Sequence, residues 1–163
     1  MPDSGLILYE EEFKQIDAEL AKLHQLANAK VAFLVDKNGQ LIASVGETQN
    51  LDTTSMASLT AGNIAATGGM AKLLGESEFS ILFHEGERDN VHISLIGHRV
   101  ILVVIFDQRS SLGLVRLRVK KSTEILTQMF SKIIEKTDKQ KEARNDRSPF
   151  AEITEEDIER LFG

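Results

Sequence analysis

The sequence contains no cysteine. Disulfides, zinc–thiolate sites and iron–sulfur clusters are therefore excluded, and the cytoplasm is the expected location. Basic residues are in the minority. There are 19 Lys and Arg against 25 Asp and Glu, for a formal net charge of −6. That balance argues against a binder of duplex nucleic acid or of a membrane surface, which needs a basic face. Long apolar runs are missing too, since no stretch nears the ~20 residues of a bilayer-spanning helix. The opening MPDSGLILYEEEF has no basic segment followed by an apolar run, so no signal peptide is expected there. Catalytic motifs are also lacking: no G-x-S-x-G, H-E-x-x-H or G-x-x-x-x-G-K-[ST] occurs, and no cofactor is expected. The four histidines, His24, His84, His92 and His98, are scattered. His84 and His92 could approach across a hairpin and, with Glu85, hold a metal. They lack a ligand-spacing motif, and a surface or turn role is the better expectation. Glu10, Glu11 and Glu12 read as favourable first-turn charge on a helix rather than an acid/base pair.

What is present suits one domain. The 163 residues, 42% hydrophobic, can form a core of about 110–140 residues plus tails. Residues 9–29 predict a first helix, with Phe13, Ile16, Leu20, Leu23 and Ala27 on one face and Lys14, Asp17, Glu19 and Lys22 on the other. Residues 31–35 and 41–45 predict two strands. Asn38-Gly39 is the turn between them, because both residues accept positive φ. Two more strands are expected at 79–84 and 91–96, joined by a polar turn. The run RVILVVIFD at 99–107 is the most β-branched in the chain and predicts the central, two-sided strand. Residues 110–136 predict a long last helix. Its first half alternates like a strand, yet Leu112, Val115, Val119, Leu126, Met129, Phe130 and Ile133 share a helical seam.

Residues 52–75, DTTSMASLTAGNIAATGGMAKLLG, predict a second helix of about six to seven turns. Asp52 or Thr53 can cap its start, and Gly75 can stop it. Met56, Leu59, Ala66, Met70, Leu73 and Leu74 are expected to face the core. Ser58, Gly62, Ala65 and Gly69 recur at four, three and four, making a face almost bare of side chain. Gly68 and Gly69 each cost roughly 1 kcal/mol relative to Ala inside a helix. Such glycines are either simply tolerated or admit another backbone closely.

Residues 137–149, TDKQKEARNDRSP, hold charge and little else, and read as a solvated linker. The segment 150–163 differs. Thr154 can cap a short helix, and Ile158, Leu161 and Phe162 share a face, with Phe150 and Ile153 upstream. So short a helix is unstable alone. It reads either as a groove-binding peptide for a partner or as a clasp on its own domain. The expected organisation is a domain at 1–137, a charged linker at 138–149 and a partner-binding helix at 150–163. The fold class is α/β (α+β), a five-stranded antiparallel sheet in the order αββαβββα, with edges and a smooth helix that suggest a homodimer.

The order of elements resembles the roadblock (dynein-light-chain-like) family. YEEEF, AFLVDKNGQLI, LDTTSMASLTAGNIAATGGMAKLLGE, FHEG and VVIFDQRSSLGLVRLRVKK are similar to its MglB branch, bacterial regulators of the Ras-like GTPase MglA in polarity and motility. The resemblance spans nearly the whole chain and is weakest at 138–147. It implies a homodimer built from second helices and sheet edges, with two chains taking one MglA-like GTPase and accelerating its GTP hydrolysis. It implies no arginine finger, since the GTPase supplies its own arginine. It assigns GTPase contact to Ala61, Gly62, Ala65 and Gly69. It also assigns the tail residues Phe150, Ile153, Ile158, Leu161 and Phe162 to a second site on the GTPase that influences exchange or activation. It further implies a cytoplasmic protein that can gather at a cell pole. A scaffold of the same fold without catalytic effect is the alternative.

Overall fold

The computed structural model describes residues 8–147 and Arg160. Between residues 8 and 147 eight elements follow one another: α1 (Glu10–Leu26), β1 (Val31–Asp36), β2 (Leu41–Gly46), α2 (Thr53–Leu73), β3 (Ile81–Glu85), β4 (Asn90–Ile96), β5 (Val100–Phe106) and α3 (Leu112–Arg147). The strands form one sheet in the order β2-β1-β5-β4-β3. Every pairing is antiparallel. The β-branched run is indeed central, and all seven residues of β5 are buried.

Alternation along β1 and β5 divides the core. Ala32, Leu34, Leu102 and Val104 pack with Ile16, Leu20 and Leu23 of α1 and with Val115, Leu126 and Phe130 of α3. Val31, Phe33, Val35, Ile101, Val103 and Ile105 face the other way, where Ala57 of α2 joins them. Each fully buried large side chain contributes about 1.5–3 kcal/mol. The helices are thus placed two on one sheet face and one on the other.

The β1–β2 connection differs in detail from the expected turn. Only Gly39 has positive φ there, +90°. The Asp36 carboxylate organises the rest, accepting from the backbone N–H of Asn38 at 2.9 Å and of Gln40 at 3.0 Å. The register shifts between Leu34 and Val35. A side-chain acceptor at the turn start replaces the second positive-φ residue.

The last helix runs further than its sequence suggests. The seam Val115, Val119, Leu126, Phe130 and Ile133 is buried, which resolves the strand-like alternation as helix. The helix then continues through Thr137, which is also buried, to Arg147. A solvated linker is expected from residue 137 onward, and the described part is helical instead. Lys, Gln, Glu, Ala and Arg are good helix formers whether or not they bury anything. Lys136 donates to Glu12 at 3.0 Å, Arg99 pairs with Asp138 at 3.8 Å, and Gln140 donates to the Tyr9 hydroxyl. Glu135 and Lys139 pair one turn apart at 3.4 Å.

Candidate functional site

The second helix begins and ends where its sequence says. Asp52 caps it, accepting from the Ser55 backbone N–H at 3.0 Å and from the Ser55 hydroxyl at 2.6 Å. These bonds, the hydroxyl's first, hold the Asp52 carboxyl below its ordinary pKa. At the other end Gly75 takes φ +80°. Its N–H donates to the Lys72 carbonyl at 3.1 Å, and that of Glu76 to the Ala71 carbonyl at 2.9 Å. This is the double bond of a Schellman stop.

Its orientation overturns the expected core stripe. The side toward the sheet is built from small or middle-sized residues: Ala57, Thr60 and Ala71 are buried, and Met56 and Ile64 are partly so. Thr67 turns its hydroxyl back onto the carbonyls of Asn63, at 3.0 Å, and Ile64, at 3.2 Å. The large apolar residues point out. Leu59 is 70% exposed, Met70 58%, Leu73 89% and Leu74 71%, and Ala66 is exposed beside them. Small inward residues let the helix lie close over the sheet. The Gly39 turn fits under it, and a Cβ there would stand 3.3 Å from the Ser58 Cα. The signal was present in the sequence. Apolar residues surround this helix, and a helix apolar on all sides is covered on all sides.

The bare face lies outward as well. Ser58, Gly62, Ala65 and Gly69 are exposed, and Ala61 is half-buried at their edge. A Cβ built on Gly62, Gly68 or Gly69 meets nothing within 4 Å, and none of the three has positive φ. Neither packing within the described residues nor backbone conformation calls for glycine at these places. Ala61, Ala65 and Gly69 share a shallow groove of about 390 Å³ with Lys37, Lys72 and Phe79. From Thr53 to Leu73 the helix carries one charged side chain, Lys72. The result is an outward surface of leucine and methionine around a glycine and alanine floor. It can receive another protein at close range.

The remaining candidates separate. The β3–β4 register sets His84 opposite Val91 and His92 opposite Phe83. The two histidines therefore project from opposite sheet faces and cannot share a metal. His84 lies by α2, 3.4 Å from Asn63 Nδ2. His92 is buried. No group of three ligating side chains occurs among the described residues. Arg109 is fixed at the end of the sheet, bonded to Glu47 at 3.0 and 3.2 Å and to Asp107 at 2.9, 3.0 and 3.2 Å. Arg116 and Arg118 belong to α3, across the sheet from α2. Phe150, Ile153, Ile158, Leu161 and Phe162 lie outside the described residues.

Comparison with known proteins places this architecture. The Roadblock/LC7 domain profile matches residues 15–106. Among solved structures, MglB of Myxococcus xanthus is 62% identical, covering 78% of this chain and 96% of its own, with a TM-score of 0.75. The gliding protein MglB of Thermus thermophilus is 32% identical over 77% of this chain and 95% of its own, with a TM-score of 0.72. An MglB solved with a tetrameric arrangement is 30% identical over 79% and 97%, at 0.75. A comparison with curated proteins finds no match.

Proposed function

Because the chain belongs to the Roadblock/LC7 family, and within it to the MglB branch, we propose that it is a homodimeric activator of a Ras-like GTPase of the MglA type. The observation that carries this reading is the outward face of α2. Gly62 and Gly69 there keep a helix cost of roughly 1 kcal/mol each although an added Cβ would meet nothing within 4 Å among the described residues, and Leu59, Met70 and Leu73 stand exposed beside them. Two such helices, brought together by sheet-edge pairing of two chains, form a joint platform. Ala65 and Gly69 lie on its GTPase side, with Ala61 and Gly62 next to them.

Activation proceeds by rearranging the partner's own catalytic residues. Two facts favour this over an arginine supplied in trans. Arg109 is committed to two carboxylates, and Arg116 and Arg118 sit on the helix across the sheet from the platform. An arginine finger is worth about 10³–10⁵ in rate. Here that gain comes from a group the GTPase already owns, once its switch regions are held in place. The tail at 150–163 adds a second contact on the GTPase, through Phe150, Ile153, Ile158, Leu161 and Phe162, and modulates affinity or nucleotide exchange. The body at 1–137 supplies the platform. The resulting polarity regulator works in the cytoplasm and gathers at a cell pole.

The test is GTP hydrolysis by the cognate GTPase with and without this protein. The Ala65→Arg, Gly69→Arg double variant is expected to keep fold and dimer and to lose stimulation. Stimulation surviving that pair would remove α2 from the docking face. Binding of the wild-type protein without faster hydrolysis would make it a scaffold.

A further inference from the structure

We propose that the groove between α3 and the β3–β4 hairpin binds a small organic anion, with an apolar body and a carboxylate or phosphate head. The groove is open to solvent along one side and has a volume of about 450 Å³, in the range of small-molecule sites. It lies across the sheet from α2. His92 and Ser94 stand two apart on β4 and pair with Val104 and Leu102 of β5, so they project to the α3 side. Arg116, Val119, Lys120 and Thr123 face them from α3 at steps of three, one and three. Ile81, half-exposed on β3, and Val119 give an apolar wall.

Four buried polar atoms of the lining residues have no hydrogen-bond partner among the described residues. His92 is 1% exposed and Ser94 4%. Neither His92 ring nitrogen, nor Ser94 Oγ, nor Thr123 Oγ1 has a hydrogen-bond partner among the described residues. Buried polar groups are nearly always bonded, so unsatisfied atoms just beneath one groove point to a ligand. A neutral imidazole offers one donor and one acceptor, and each hydroxyl offers a donor. Burial, and next the nearby Arg116, push the His92 pKa down, so the imidazole is neutral at pH 7. The charge for an anionic head therefore comes from Arg116 and Lys120, one turn apart at the rim. Glu124 lines the same rim and disfavours a polyanion. The apolar wall then selects a head that carries an apolar body over a bare ion.

The experiment titrates full-length protein with octanoate and octyl phosphate, and with octanol and inorganic phosphate as controls. Binding is followed by calorimetry and by the His92 ring resonances in NMR. At least one eight-carbon anion should bind saturably, about tenfold or more tighter than either control, and should move the His92 resonances. Whether octanoate or octyl phosphate binds better tells a carboxylate from a phosphate source. Arg116→Ala with Lys120→Ala changes only exposed residues. It should weaken binding by about tenfold at an unchanged melting temperature. Thr123→Val is a second variant and should weaken it without unfolding. No saturable binding by either anion, equal binding of octanol, unmoved His92 resonances or full affinity in the Arg116/Lys120 variant would each overturn the proposal. No GTPase enters the assay, so its outcome is independent of the activator reading.

Discussion

Arg109 shows how much one side chain can be asked to hold. It joins the end of β2, through Glu47, to the end of β5, through Asp107, and its carbonyl accepts from Asn28 Nδ2 at 2.5 Å. Its hydrogen bonds are the largest cause holding the Glu47 and Asp107 carboxyls below their ordinary values. The stability these carboxylates add is present above their unfolded pKa, near 4, and is lost as pH falls through the lower folded values. Arg109→Ala should therefore flatten the acid limb of a stability–pH curve below about pH 4. Maximal stimulated GTP hydrolysis should change less than about threefold, against the ~10³–10⁵ of a true finger. His92 gives a second pH signature. Its folded pKa is depressed, so the folded state resists protonation. The stability is complete above the unfolded value of about 6.5 and declines as pH drops from there toward the folded value. Arg116, Lys120 and Glu124 face it from α3. Denaturant melts between pH 8 and 5 should show a decline that His92→Phe removes.

The elements differ in how openly they announced themselves. β1, β4 and β5 were legible because apolar β-branched runs bounded by turn residues leave few other readings. The first helix was legible through one apolar face. The second helix was legible in extent, through Asp52 and Gly75, and illegible in orientation. The large apolar residues Leu59, Met70, Leu73 and Leu74 predict an inward face, and the structure puts Ala57, Thr60 and Ala71 there. Residue size misleads where a helix must lie close to a sheet. The glycines supply a prediction at this scale. Gly62 and Gly69 are helical, with room for a methyl group. Replacing either by Ala should stabilise the protein by about 0.5–1 kcal/mol in chemical denaturation while weakening GTPase stimulation. A more stable variant with undiminished stimulation would make these glycines incidental. The far end of α3 was illegible for another reason. Charge signals solvation, but Lys, Glu, Gln and Ala also favour helix, and ties to Glu12, Arg99 and Tyr9 hold its start in place.

At the scale of the whole molecule the sheet separates two surfaces: α2 on one side, α1 and α3 on the other. Deleting residues 150–163 should leave the melting temperature of the domain within about 2 °C, since loss of ~1 kcal/mol would already shift it by a few degrees. It should alter GTPase affinity or nucleotide exchange. Unfolding on that deletion would make the segment a clasp. The tail residues were legible as an amphipathic pattern, but a pattern does not name what it meets. The outward leucines of α2 have a consequence of a different kind, for the handling of the protein in bulk. Leu59, Met70, Leu73 and Leu74, together with the outer edge of β3, which pairs with no other strand among the described residues, give a solitary protomer both a greasy flank and an open strand edge, two known routes to clumping. Under the proposed homodimer, colloidal solubility is then a property of the assembly rather than of the chain. Dilution to the point of dissociation should raise light scattering per molecule over hours, and overproduction without the partner should send surplus chain into the insoluble fraction.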